Sequence, residues 1–186
     1  MSTPHTTDIM GMIIASTGSF YDAGDLTIRG TYQNGASSPT RGIIFGGTTP
    51  SAAYNNIDVF TMATGGNATK FGELITARKY ADTSGNSIRA LAAGGSPSTN
   101  SIEFVTIATD GNAQDFGDLH SATVTGKNGV VSSATRGIFS GFYPAQTSRM
   151  DFVTIMSAGN AQDFGDMTAT WYYHGGCSDS NGGIGE

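Results

Sequence analysis

Charge is scarce in this chain: only 13% of its 186 residues are Asp, Glu, Lys or Arg, and the nine basic residues are scattered. Fifteen acidic residues bring the formal net charge to −6, which repels phosphate backbones and argues against a nucleic-acid partner. Cysteine is nearly absent. Cys177 stands alone, so no internal disulfide can form and stability has to come from packing and hydrogen bonds. Long apolar runs are missing as well, which leaves no candidate for a spanning helix. The stretch Met1-Ser-Thr-Pro-His-Thr-Thr-Asp8 lacks a basic segment leading into an apolar one, so no signal peptide is expected and synthesis as a soluble protein is. Helix formers are too sparse, and glycine at 27 residues too dense, for a helical repeat.

What is present is repetition. Phe104-Val-Thr-Ile107 with Gly111-Asn-Ala-Gln-Asp-Phe-Gly-Asp118 returns as Phe152-Val-Thr-Ile155 with Gly159-Asn-Ala-Gln-Asp-Phe-Gly-Asp166, a shift of 48 positions. Weaker copies lie upstream: Gly111 steps back to Gly66 and Gly18, Gly165 to Gly117, Gly72 and Gly24, and Ile102 to Ile57 and Ile9. An acidic position keeps step as Asp25, Glu73, Asp118 and Asp166. Self-similarity at such a period means one supersecondary unit copied several times, with neighbouring copies burying each other's apolar faces. Four copies fill the chain, so a single domain over residues 1–186 is expected, with repeat units at about 9–56, 57–101, 102–149 and 150–186.

Each copy reads as four short strands. Arg41-Gly-Ile-Ile-Phe-Gly-Gly47, Arg89-Ala-Leu-Ala-Ala-Gly-Gly95 and Arg136-Gly-Ile-Phe-Ser-Gly141 are brief apolar runs closed by glycine, as befits a first strand buried on both faces. Ile57–Met62, Ile102–Ile107 and Met150–Ile155 are second strands rich in β-branched and aromatic residues. Hairpin turns are expected at Gly66-Asn67, Gly111-Asn112 and Gly159-Asn160. Phe71, Phe116 and Phe164 mark a third strand and are expected to be equivalent core residues; a fourth strand is expected around Thr76–Lys79 and Ser121–Val124.

A period of 45–48 residues with four antiparallel strands fits a β-propeller blade. The two-glycine strand, the Ile-Asp-Phe-Val type of strand and the aromatic of the third strand resemble the kelch repeat, with Phe where kelch repeats usually carry Trp. The run Phe-Val-Thr-Ile-x-x-x-Gly-Asn-Ala-Gln-Asp-Phe-Gly-Asp is similar to kelch-like repeats in structural proteins of marine bacteriophages, cyanophages above all. The chain opens inside a second strand at Ile9–Ile14 and reaches a first strand at Gly182–Glu186, so the expected all-β propeller is closed by pairing of its N- and C-terminal strands, within one chain or between chains.

Repeated residues point first to architecture. Arg41, Arg89 and Arg136 recur at one position and Asp25, Glu73, Asp118 and Asp166 at another, so either Arg–carboxylate pairs between strands or blades, or an ion site on the axis, is open. His5, His120 and His174 sit at unrelated repeat positions, and Cys177 near His174 has no second pair, so no metal site and no cofactor are expected. No Gly-x-Ser-x-Gly elbow and no repeating Ser–His neighbour occur, so catalysis is not expected. The variable segments are Thr48–Asn56, Ser96–Ser101 and Phe142–Arg149, joining first to second strands on one end of the blades. They carry Tyr54, Asn55, Asn56, Phe142, Tyr143 and Gln146 as candidate ligand- or partner-binding residues, joined by the aromatic run Trp171, Tyr172 and Tyr173.

The resemblance implies a non-enzymatic virion protein, a capsid- or tail-associated propeller with a display or attachment role, made in the host cytoplasm. Its partners would be other virion proteins or copies of itself, without nucleic acid or membrane insertion. The alternative is a lectin-like carbohydrate-binding module that recognises host or environmental glycans through its loop aromatics and amides.

Overall fold

The computed structural model describes residues 6–12, 17–123, 129–143, 147–171 and 174–178. These form an all-β protein of 14 strands in four antiparallel sheets, with no helix among the described residues. A two-stranded sheet holds β1 (Thr6–Gly11) and β2 (Tyr21–Gly30). Three four-stranded meanders follow: β3 (Asn34–Ser37), β4 (Arg41–Thr48), β5 (Ala53–Thr61) and β6 (Thr69–Glu73); β7 (Asp82–Gly85), β8 (Arg89–Ala93), β9 (Thr99–Thr106) and β10 (Gln114–Thr123); β11 (Gly129–Ser132), β12 (Arg136–Ser140), β13 (Arg149–Thr154) and β14 (Gln162–Asp166). Within each sheet strands neighbour in space as they do in sequence, the simplest route for short hairpin connections.

The repeat register survives folding. Ile9 faces Gly24, Ile57 faces Gly72, Ile102 faces Gly117 and Met150 faces Gly165, so the positions aligned in sequence face each other in all four sheets. The fourth strand is not where the sequence suggests. Residues 76–79 form no strand, Lys79 alone bridging to Ser96, and Ser121–Thr123 merely extend β10. The fourth member of each sheet is the segment just before the Arg-Gly strand: β3, β7 or β11. β3 and β7 are built of small residues, Asn34-Gly-Ala-Ser37 and Asp82-Thr-Ser-Gly85, which let backbones crowd together but give little of the β-branched signature that marks a strand by eye; β11 has Val130 and Val131 but is only four residues long. Residues 182–186, the expected partner of the N-terminal strand, lie outside the described residues, as do Ile13 and Ile14; within the described part β1 pairs with β2.

Packing follows from the both-face burial of the first strands. In β8, Ala90 and Ala92 point into one core with Ile43, Phe45, Ile57, Phe71, Val105 and Ile107, while Leu91 and Ala93 point into a second with Ile102, Phe116, Phe139, Phe142 and Ile155. Alternating side chains of one strand thus serve two layers, and each fully buried Leu, Ile or Phe is worth about 1.5–3 kcal/mol. Phe71 and Phe116 are core residues as expected, 4% and 2% exposed, but Phe164 is 45% exposed and rests edge-on against Phe152. The difference is positional: β6 and β10 are covered by the sheet that follows them, whereas β14 belongs to the last sheet described.

Candidate functional site

The repeated polar residues meet at the joints between sheets. The hairpin loops that carry Gly-Asn-Ala reach back to the last strand of the preceding sheet. Gly66, Gly111 and Gly159 donate their N–H groups to the carbonyls of Ala23, Phe71 and Phe116 at 2.7, 2.9 and 2.6 Å. Ala68, Ala113 and Ala161 donate to the carbonyls of Asp25, Glu73 and Asp118 at 2.7, 2.8 and 2.8 Å. Between them the side-chain oxygens of Asn67, Asn112 and Asn160 accept from the backbone N–H of Asp25, Glu73 and Asp118 at 3.1, 3.1 and 3.0 Å. Gly24, Gly72 and Gly117 make this approach possible, since a Cβ on any of them would overlap the backbone of Gly66, Gly111 or Gly159. Gly-Asn is therefore a clamp on a neighbouring sheet as well as part of a turn.

A second device sits one strand inward. Asp58, Glu103 and Asp151, all buried, accept the backbone N–H of Thr27, Ile75 and His120 at 2.9, 2.7 and 2.7 Å. A buried carboxylate needs such donors to offset its desolvation. Asp58 further accepts from the Thr27 hydroxyl and from Asn56 Nδ2, and Asp151 from Arg149 Nε at 2.7 Å. Glu103 pairs with Arg78, both side chains 1% exposed, and Arg78 also donates to the carbonyls of Gly94 and Ser101 at 3.0 and 3.2 Å. Burial pushes the Glu103 carboxyl above its ordinary range and the Arg78 guanidinium below its own, each held back by the opposite charge of the other.

The recurring arginines do not pair with the recurring carboxylates. Arg41 reaches the next sheet, donating to the Ile107 carbonyl at 3.1 Å and pairing with Asp110 at 2.7 Å; Arg89 donates to the Ile155 carbonyl at 3.1 Å. Arg89 and Arg136 lie over the rings of Phe104 and Phe152, the cation–π arrangement. The carboxylates are engaged locally instead: Glu73 with Lys70, whose hydrogen bond and charge hold that carboxyl below the usual range, Asp25 with the Thr7 hydroxyl, and Asp166 with Ser148. The extended arm of arginine spans a sheet-to-sheet gap that the short acids on the outer strand do not face.

The expected loop residues divide. Phe142 is fully buried in the second core and Asn56 is buried beside Asp58, so neither is available as a binding group; both were drawn inward because an apolar ring and an amide found partners there. Asn55 is half-buried and holds Glu73 and the Leu74 carbonyl, each at 3.3 Å. Tyr54 is half-buried, its hydroxyl accepting from Gln33 Nε2 at 2.8 Å, and burial together with the charge of Asp58 pushes its pKa up to about 12. Tyr143 is half-buried beside Phe142, and Trp171 is 58% exposed. Gln146, Tyr172 and Tyr173 lie outside the described residues.

On the same end as Tyr54 the structure assembles a pair that sequence reading missed. Tyr32 and Tyr80 adopt φ values of 59° and 60°, a conformation rare for a bulky side chain. Their ring centroids lie 4.3 Å apart, and Lys79 Nζ sits 5.6 Å from one ring and 6.0 Å from the other. The bond from Tyr80 N–H to the Tyr32 carbonyl at 3.1 Å fixes the spacing. Their 48-residue separation was the available signal, since it equals the repeat period.

One histidine approaches a hydroxyl. His174 Nε2 lies 3.0 Å from Ser140 Oγ, which donates to the Gly129 carbonyl at 3.0 Å. A carbonyl only accepts, so His174 donates to Ser140, the reverse of what a base activating a serine requires. Open hollows of about 330, 380 and 140 Å³ recur beside the Gly-Asn loops, lined by such residues as Thr109 and Asn112, Thr64 and Gly66, and Ser157 and Asn160. The hollow beside Thr64 and Gly66 lies past the end of β5 opposite to Tyr54. No protein-family model matches the chain, and no significant match to a curated protein is found.

Proposed function

We propose that this chain is a non-enzymatic structural protein of a phage particle, capsid- or tail-associated, working through contact surfaces in display or attachment. In this reading its repeats are four kelch-like blades of a β-propeller and the two-stranded sheet β1–β2 is an incomplete blade. The observation that carries the non-catalytic part is the use made of the repeated polar residues. Gly-Asn-Ala, the buried acids, Arg41 and Arg89 are spent on joining one sheet to the next. Supporting the blade arrangement, β3, β7 and β11 lie side by side, with Thr83 Oγ1 donating to the Gly35 carbonyl at 2.7 Å and Ser84 meeting Ser132 at 3.0 Å. Ser178, 46 residues beyond Ser132, meets the Ser132 N–H at 3.1 Å, which continues that inner series. The particle reading rests on the resemblance of the repeat. Quantitative mass spectrometry of purified particles tests it: a stoichiometric copy number is expected, and absence from the particle overturns it.

A second reading, a lectin-like carbohydrate-binding surface, is favoured by Tyr32, Tyr80 and Lys79. Aromatic faces beside a hydrogen-bonding cation suit a sugar, whose C–H face stacks on a ring while its hydroxyls bond at the edge. A glycan array with Y32A as control tests it. Glycan signals lost in the variant would support the reading, and an array without signal would remove it.

A further inference from the structure

The joint between sheets has two halves, and among the described residues each is found once more, unfilled, at an end of the series. The receiving half is an outer strand that offers two carbonyls and one N–H around a glycine; at β14 these are the carbonyls of Phe164 and Asp166 and the N–H of Asp166, flanking Gly165. Gly165 keeps the φ of its filled counterpart, 131° against 139° at Gly117. Yet among the described residues nothing lies within 4 Å of where its Cβ would be, and Phe164 is exposed. The inserting half is a loop with a glycine at its tip. In the first sheet this is Gly18-Ser19-Phe20, aligned with Gly66-Asn67-Ala68, and Phe20 is exposed where its counterparts Ala68 and Ala113 are buried. Around it Met10, Met12, Phe20 and Tyr21 are all exposed.

We propose that these two faces are complementary and that β14 of one molecule receives the Gly18 loop of a second copy, head to tail. The partner is another copy because the same chain fills this joint three times with its own sequence and, among the described residues, leaves one half of it open at each end, which makes the new contact continuous with an established one. The Gly18 and Phe20 N–H groups would donate to the Phe164 and Asp166 carbonyls, and Ser19 Oγ would take the place of Asn67 in accepting from Asp166 N–H. Phe20 and Met10 would cover Phe164. The contact is heterologous, so it builds either a closed ring of copies or an open string. It is weaker than the internal joints. Met10, which follows Ile9 and pairs with Asp22, stands at the position of Asp58, Glu103 and Asp151, so the carboxylate that anchors each internal joint is missing here. Association should therefore be reversible and concentration-dependent. The proposal rests on the blade reading of the sheets and not on residence in a particle.

Sedimentation velocity of the full purified chain across the micromolar range is the test. The wild-type weight-average mass is expected to at least double from the dilute to the concentrated end. Phe164→Asp, which spoils only the receiving face, and Phe20→Asp, which spoils only the inserting face, should each stay monomeric at every concentration. An equimolar mixture of the two should form a dimer and nothing larger, because each variant retains the half that the other lacks. A wild-type protein that remains monomeric throughout overturns the proposal, and so does self-association that neither substitution affects. Circular dichroism of each variant checks folding; should Phe164→Asp not fold, Phe20→Asp and the wild-type dilution series still decide. A monomeric wild type whose melting temperature falls on Phe20→Asp would mean the two faces meet within one chain, which also overturns it. Detection in particles with no self-association would sink this inference and leave the particle reading standing.

Discussion

Arg78 and Glu103 show what a single pair decides. Glu103 belongs to a repeated position, whereas Arg78 has no counterpart in the aligned copies, and both are sealed from water. Removing one partner leaves a buried charge uncompensated, so Glu103→Gln should cost about 3–5 kcal/mol in urea unfolding, and the double replacement Arg78→Met with Glu103→Leu should recover much of it. Tyr54 makes a titration prediction. Its folded pKa of about 12 lies above the ordinary 10.0, so the folded state keeps a proton that the unfolded chain loses. That contribution to stability is complete below pH 10 and is lost as the pH rises through 12. Ultraviolet titration should show one tyrosine ionising late, and Tyr54→Phe should abolish that phase. Exposure separates the aligned phenylalanines: Phe116→Ala should cost about 3–5 kcal/mol by denaturant titration, Phe164→Ala far less.

Strands in this protein are stabilised by what clamps their outer faces. Gly117 and Gly165 have nearly the same backbone conformation, so an alanine at either meets similar backbone strain. Only at Gly117 would the new Cβ collide with the clamp, at 2.5 Å from the Gly159 carbonyl carbon. Gly117→Ala should therefore be about 1–3 kcal/mol more destabilising than Gly165→Ala in urea titrations of dilute protein. Equal costs would show that the Gly-Asn-Ala loop yields freely. The same loop carries Asn112, whose side chain accepts one backbone hydrogen bond from Glu73; Asn112→Ala should cost about 0.5–1.5 kcal/mol.

Across the whole molecule, stability is a sum of sheets and nearest-neighbour joints. The middle sheet, β7 to β10, is clamped on both sides and contributes to both cores, while β1–β2 has two strands and a joint to one neighbour. Hydrogen exchange should release β1 and β2 first and β8 and β9 last. Uniform protection across all four sheets would mean that the array opens as one unit.

The sequence by itself determined the repeat, its register and the all-β class. A 48-residue shift carries Ile102 opposite Gly117 and Met150 opposite Gly165 in the folded protein as it does on the page, because alternation and turn chemistry are local properties. Local chemistry could not show the inner strands, which are four residues long and, in β3 and β7, made of small residues that allow close approach to a neighbouring sheet. Nor could it show that Gly-Asn clamps another sheet, that Arg41 answers Ile107 and Asp110 rather than Glu73, or that Phe142 turns inward while Phe164 stays exposed. Those outcomes depend on which sheet lies next to which. Identical residues such as Phe116 and Phe164 part company for that reason: burial is a property of the neighbour that arrives, and only the tertiary structure says whether one does.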